Sequence, residues 1–188
     1  MEHNGFTLWF TGLPCSGKTT IADLVADELK SKGYKVERLD GDVVRKSLSR
    51  DLGFTREDRN ENLERITFVS KLLTRNGVIV LTSFVSPYRK IRQYARREIG
   101  SFIEVFVKCS LEVCKERDVK GMYKKAHEGH IENFTGVSHP YEEPENPEII
   151  VGTDIESSRQ SADKVIKALS KLNFIKSSAR IPGGNKNE

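Results

Sequence analysis

A chain of 188 residues with 37% hydrophobic and 31% charged side chains is sized for one compact domain with a buried core, which excludes a repeat array or a disordered chain. Its net charge of +4, from 31 basic and 27 acidic residues spread along the chain, gives no reason to expect nucleic-acid or membrane binding and suits an anionic small substrate. There is no apolar run near the ~20 residues of a membrane span and no signal-peptide pattern, and the three cysteines Cys15, Cys109 and Cys114 lack metal-ligand spacing, so a cytoplasmic location is expected.

The first element is an apolar strand, residues 6–10, which runs into Gly12-Leu13-Pro14-Cys15-Ser16-Gly17-Lys18-Thr19. In this Gly-x-x-x-x-Gly-Lys-Thr spacing the glycines let the backbone curl until successive N–H groups converge on phosphate oxygens. Lys18 bridges the terminal phosphates and the Thr19 hydroxyl ligates magnesium. Ile21, Leu24, Val25 and Leu29 recur at helical spacing and stop near Lys32-Gly33, so the loop opens a helix. Residues 35–39 read as a second strand ending at Asp40-Gly41-Asp42, followed by a helical stretch with Val43, Val44 and Leu48. Thr55 caps a longer helix, with Glu57 and Asp58 in its first turn and an apolar face through Leu63, Ile66, Val69, Leu72 and Leu73, ended by Asn76-Gly77.

Residues 78–81 are a β-branched run of the kind buried on both faces of a parallel sheet. Pro87 opens the next helix, which carries Ile91, Tyr94 and Ala95 on one side and arginines on the other. A fourth strand at 102–107, a short helix at 111–117, a fifth strand at 148–151 and a closing helix at 155–172 complete the pattern. The stretch 118–147 is long, polar and punctuated by glycine and proline, which reads as a mobile lid. Residues 177–188 read as a flexible tail, leaving 1–176 as the domain.

Strands alternating with helices predict an α/β fold, an open five-stranded parallel sheet with helices on both faces. Ligands of such sheets lie beyond the carboxyl ends of the strands, where the glycine-rich loop, Asp40-Gly41-Asp42, Thr82-Ser83 with Ser86, and Cys109-Ser110 would meet. Asp-Gly is strong turn chemistry, but at this position one carboxylate can hold magnesium through water and the other can accept a proton from an attacking hydroxyl. The cations of 115–125 are either a solvated charge run or a lid that closes over phosphates and excludes water. Arg45, Arg59 and Arg65 suit bidentate recognition of an anionic acceptor. Phe54 and Phe134 can sandwich a purine or simply fill a core.

Taken in order, these blocks resemble the adenylylsulfate kinase family of P-loop kinases. The resemblance runs from Phe6 to about Leu172. It rests on the loop 12–19, Leu39-Asp40-Gly41-Asp42 with Val44-Arg45, 52–59 with Asn62, 83–89, 104–107, Lys120-Gly121-Met122-Tyr123-Lys124-Lys125-Ala126, Asn133-Phe134-Thr135-Gly136 and 140–148. It implies a P-loop NTPase fold that phosphorylates adenosine 5′-phosphosulfate at its 3′-hydroxyl with ATP as co-substrate and Mg²⁺ as cofactor. The ATP side would be Gly12, Leu13, Pro14, Cys15, Ser16, Gly17, Lys18, Thr19, Thr20 and Arg117. The acceptor side would be Asp42, Arg45, Phe54, Arg59, Asn62, Ser86, Pro87, Lys124 and Phe134.

By the same resemblance Lys18, Asp40 and Asp42 are catalytic, Asp42 as base, and Thr19 holds Mg²⁺ with Asp40 acting through water. Ser86 stands where the family is linked to a phosphoserine, which direct in-line transfer does not require. A homodimer, or association with a sulfate adenylyltransferase, is the partner the resemblance implies. Departures from the family pattern are Glu64 before Arg65 where paired arginines are usual, Pro14 and Cys15 in place of smaller residues, and His127 where arginine is common.

Overall fold

The computed structural model describes residues 4–176, so the tail expected over 177–188 lies outside the described residues. Strands β1 (Thr7–Thr11), β2 (Val36–Asp40), β3 (Ile79–Ser83), β4 (Phe102–Lys108) and β5 (Ile149–Gly152) run parallel in one sheet ordered β2-β3-β1-β4-β5. The helices between and after them are α1 (Lys18–Ser31), α2 (Gly41–Lys46), α3 (Arg56–Arg75), α4 (Arg89–Ile99), α5 (Leu111–Glu116), α6 (Met122–His127) and α7 (Ser158–Lys171). Among the described residues no helix is long and apolar enough to cross a membrane.

The central strand β1 is buried on both faces, and its two-residue side-chain period assigns the helices to layers. Leu8 and Phe10 pack with Ile21, Val25 and Leu29 of α1 and Val165 and Leu169 of α7. Trp9, pointing the other way, joins Leu63 and Ile66 of α3, Ile91 and Ala95 of α4, and Phe102. A third, smaller cluster of Cys109, Cys114, Tyr123, Ala126 and Phe134 lies under the lid, so the lid segment has a short helix and an apolar floor of its own.

Four local expectations are corrected by the structure. On α3 the buried stripe is Leu63, Ile66, Thr67, Ser70 and Thr74, whereas Val69, Leu72 and Leu73 are only half-buried. A spacing of three slips about 60° per step on a helix of 3.6 residues per turn, so Leu72 ends roughly opposite Leu63. The small polar residues that take over let the helix lie close to the sheet, with Thr74 Oγ1 2.8 Å from Thr7 Oγ1. On α4, Arg92 is buried on the same side as Ile91, Ala95 and Ile99 rather than with the exposed arginines. Pro87 lies before the helix, whose N-cap is the extended Tyr88, and Leu48 lies beyond α2 and is exposed.

Thr55 caps α3 as expected and does so reciprocally. Its Oγ1 accepts from the Asp58 N–H at 3.1 Å while the Asp58 carboxylate accepts from the Thr55 N–H at 3.4 Å. Thr55→Ala is therefore expected to destabilise the fold by about 1 kcal/mol. The measurement is urea denaturation, with a lower midpoint at unchanged m-value.

Candidate active site

The phosphate loop leaves β1 and enters α1 through Gly17, whose φ of 94° puts it in the left-handed region at the helix N-cap. Lys18 turns its ammonium back onto the loop, donating to the Leu13 carbonyl at 2.6 Å and the Gly12 carbonyl at 3.1 Å. Burial pulls its pKa from 10.5 down to about 8. Cys15 also has a positive φ, of 60°, and burial pushes its thiol pKa up, away from reactivity. Pro14, Cys15, Gly17, Lys18, Thr19 and Thr20 line the cleft, whereas Gly12, Leu13 and Ser16 stand behind it.

Sheet register brings the acidic turn to this loop, because Asp40 at the end of β2 is level with Ser83 of β3, which is level with Phe10 of β1. Asp40 has two tasks. Its Oδ2 accepts from Thr19 Oγ1 at 2.8 Å, and its Oδ1 accepts from the Asp42 N–H at 3.0 Å, capping α2. The Asp42 carboxylate is paired with Lys120 of the lid, and the pair raises the Lys120 pKa above its usual value.

The wall of the cleft expected to take the acceptor is built by α2, α3 and residues 133–135. Arg45 donates to the Gly53 carbonyl at 2.8 Å and lies 4.2 Å above the ring of Phe54, which is half exposed to the cleft. Arg59 binds the Phe54 carbonyl through Nε (2.9 Å), Thr135 Oγ1 through Nη1 (3.1 Å) and the Asn133 carbonyl through Nη2 (2.5 Å), tying the lid to α3. Burial lowers the pKa of both guanidinium groups, yet an arginine stays charged. The desolvated charges favour an anionic partner. Asn62 is buried and its Oδ1 has no hydrogen-bond partner among the described residues. Phe134 lines the cleft but is mostly buried, edge-on to Tyr123 with ring centroids 5.0 Å apart.

Ser86 lies between the two sides, almost fully buried at φ 40°; its Oγ accepts from Trp9 Nε1 at 3.0 Å and donates to the Phe84 carbonyl at 3.4 Å. Pro87 lines the cleft beside it. Arg117 donates to the Thr153 carbonyl (2.6 Å) and Oγ1 (3.2 Å), and Thr153 Oγ1 donates to the Ser16 carbonyl at 2.8 Å. One cleft of about 1070 Å³ holds both sides, at the upper end of the ~300–1,000 Å³ of small-molecule sites and roomy enough for two substrates.

Besides Gly12, Leu13 and Ser16, the expected strand-end residues Thr82, Cys109 and Ser110 do not line the cleft, nor do two charged candidates, Arg65 and Lys124. Arg65 makes a bidentate pair with Asp51 at 2.7 and 2.8 Å and also holds Glu61 and the Leu48 carbonyl, so it is a surface staple. Lys124 is exposed on α6 and does not line the cleft; Lys120, one turn earlier, does. Glu64 and His127 likewise face solvent. Among the cations of 115–125 it is Lys120 that reaches the cleft, and the lining residues that the sequence did not single out are Val119, Ile131, Thr153, Glu156, Ser157 and Ser158. For the last group a signal was present, the Ser157-x-x-Gln160 capping box that opens α7 after the fifth strand.

A lysine-bearing phosphate loop, a carboxylate pair and a basic, aromatic pocket in one cleft at the carboxyl edge of a parallel sheet define a nucleotide-dependent phosphotransferase of the P-loop kinase class. A family model described as adenylylsulphate kinase matches residues 4–152. An adenylyl-sulfate kinase from Halothermothrix orenii is 59% identical over 174 residues, covering 93% of this chain and 94% of that one. A second, from a Picosynechococcus species, is 55% identical over 175 residues, covering 93% and 99%. The solved Mycobacterium tuberculosis APS kinase CysC in complex with AMPPNP and APS superposes with a TM-score of 0.86 at 42% identity, covering 89% of this chain and 99% of that one. The chain belongs to the adenylylsulfate kinase family.

The lowered pKa of Lys18 gives a signed prediction. Above pH 8 the free protein has lost this charge, and a polyphosphate placed on it favours the ammonium again. Nucleotide binding is expected to take up close to one proton at pH 9 and almost none at pH 7, with affinity falling between them. Calorimetry in two buffers of different ionisation enthalpy measures the uptake, and equal values at both pH values contradict the assignment.

Proposed function

We propose that this protein transfers the γ-phosphate of ATP to the 3′-hydroxyl of adenosine 5′-phosphosulfate, giving 3′-phosphoadenylyl sulfate and ADP. The observation that carries this reading is the position of Asp42, which lines the cleft between the phosphate loop and the set formed by Arg45, Phe54, Arg59 and Asn62.

On the donor side, the loop amides and Lys18 bind the phosphates and Arg117 flanks the ATP adenine. Thr19 Oγ1 and Asp40 offer hard oxygen donors side by side. No group of three or more His, Cys, Asp or Glu side chains able to hold a metal occurs among the described residues, which suits an ion held mainly by phosphate and water. Thr19, with Asp40 through water, would hold Mg²⁺, which when bound neutralises charge on the β- and γ-phosphates.

On the acceptor side, Phe54 and Phe134 take opposite faces of the purine, Arg45 and Arg59 receive the anionic groups, and the unpartnered Asn62 oxygen accepts from the ligand. Asp42 accepts the proton of the 3′-hydroxyl as it attacks, and Lys120 is paired with the same carboxylate. Ser86 shapes the turn beside the acceptor. Its hydroxyl is occupied by Trp9 and Phe84, which favours direct transfer over a phosphorylated serine. Segment 118–147 closes over the phosphates and excludes water.

Two measurements test this. ATP consumption in a coupled assay should depend on adenosine 5′-phosphosulfate and yield a 3′-phosphorylated product; turnover with gluconate, shikimate or a nucleoside monophosphate in its place would assign a different kinase. Asp42→Asn should lower kcat by about 100-fold or more with ATP affinity within about threefold, as loss of a base predicts. Equal losses in both would assign Asp42 to metal or nucleotide binding.

A further inference from the structure

Arg92 lies outside the cleft, and no step above uses it. It is 3% exposed on a helix face whose other members, Ile91, Ala95 and Ile99, are apolar. A buried guanidinium is costly to desolvate, and an apolar side chain of similar volume often serves stability as well or better. The charge is therefore best explained by what its fork holds in place. Nε donates to Glu104 Oε1 of β4 at 2.7 Å, Nη1 to the Ser86 carbonyl at 2.6 Å and Nη2 to the Glu142 carbonyl at 2.6 Å. One planar group thus joins three chain segments distant in sequence.

Two of these segments border the reaction. Ser86 holds a left-handed φ of 40°, strained for a residue with a β-carbon, and its carbonyl orientation is set by Arg92 while its side chain is set by Trp9. Glu142, near the C-terminal end of segment 118–147, is fastened to the same turn, its N–H donating to the Pro87 carbonyl at 2.8 Å. Its neighbour Tyr141 has its hydroxyl 2.9 Å from Thr11 Oγ1, one residue before the phosphate loop, and Thr11 Oγ1 donates to the Val85 carbonyl at 2.8 Å. A continuous chain of hydrogen bonds therefore runs from the acceptor turn through Arg92 and the strap at 141–142 to the root of the donor loop.

We propose that Arg92, seated on Glu104, is a positioning residue for phosphoryl transfer: it sets the acceptor turn at Ser86 against the donor loop through the Tyr141–Glu142 strap. A lysine keeps the charge but cannot make the three directed bonds. The proposal rests on the kinase reading of the cleft, and wild-type turnover with adenosine 5′-phosphosulfate tests that reading separately.

The test is steady-state kinetics of Arg92→Lys and Tyr141→Phe, with kcat expressed per nucleotide-binding site from titration with ATP, so that unfolded protein is not counted. Arg92→Lys is expected to lower kcat about 10- to 100-fold, the size of effect a misalignment near 1 Å can produce, with KM for ATP within about threefold. Tyr141→Phe keeps the ring stacked on Phe106 and removes only the hydroxyl bond. It should lower kcat by about threefold to tenfold, and the double variant should lose less than the product of the two, because both act through one strap. If Arg92→Lys does not fold, Tyr141→Phe decides alone. A kcat per site within about twofold of wild type in the variants that fold, whatever their thermal stability, overturns the proposal.

Discussion

Gly12 stands so close to the end of β4 that a β-carbon on it would lie 2.5 Å from the Val107 carbonyl oxygen, and this approach fixes the path by which the phosphate loop leaves the sheet. From that path follow the burial of Lys18, the meeting of Thr19 with Asp40, and the contact of Leu13 and Cys15 with the apolar cluster under the lid. The change in Lys18 pKa from 10.5 to about 8 corresponds to roughly 3 kcal/mol held against its charged form. Phosphate placed on the ammonium relieves that penalty, so the loop is organised for an anion by its own burial.

The second half of the site depends on the first through sheet register. Because β2, β3 and β1 end level with one another, the turn that follows β2 faces the loop that follows β1, and α2 starts where its cap, Asp40, also touches Thr19. Asp42 then points into a cleft whose far wall is Phe54, held under Arg45 and tied by Arg59 to the lid. Segment 118–147 is tied to this wall at two points: Arg59 reaches Asn133 and Thr135, and Lys120 reaches Asp42.

The features legible in the sequence were those with a local cause. The loop, the Thr55 cap and the buried strand at 79–83 depend on spacing, capping and turn chemistry within a few residues. What escaped depended on partners far along the chain. Arg65 carried the right charge for an acceptor site, but Asp51 fourteen positions earlier claims it. Arg92 resembled its exposed neighbours until Ser86, Glu104 and Glu142 were brought around it. In the lid, Gly121 in the left-handed region starts α6 abruptly, which leaves Lys120 on the cleft side and Lys124 on the outside, a choice that charge patterning cannot make. The half-buried apolar residues of α3 follow from a three-residue spacing that drifts around the helix.

These relations lead to one central claim, that donor loop and acceptor pocket share a cleft in which the phosphoryl group passes directly from one substrate to the other. The most direct measurement is the stereochemical course of transfer from ATP made chiral at the γ-phosphorus by oxygen isotopes. A single in-line displacement requires inversion of configuration in the 3′-phosphorylated product, and that is the expected result. Net retention would contradict the account, because it requires two displacements and a phosphorylated group on the enzyme.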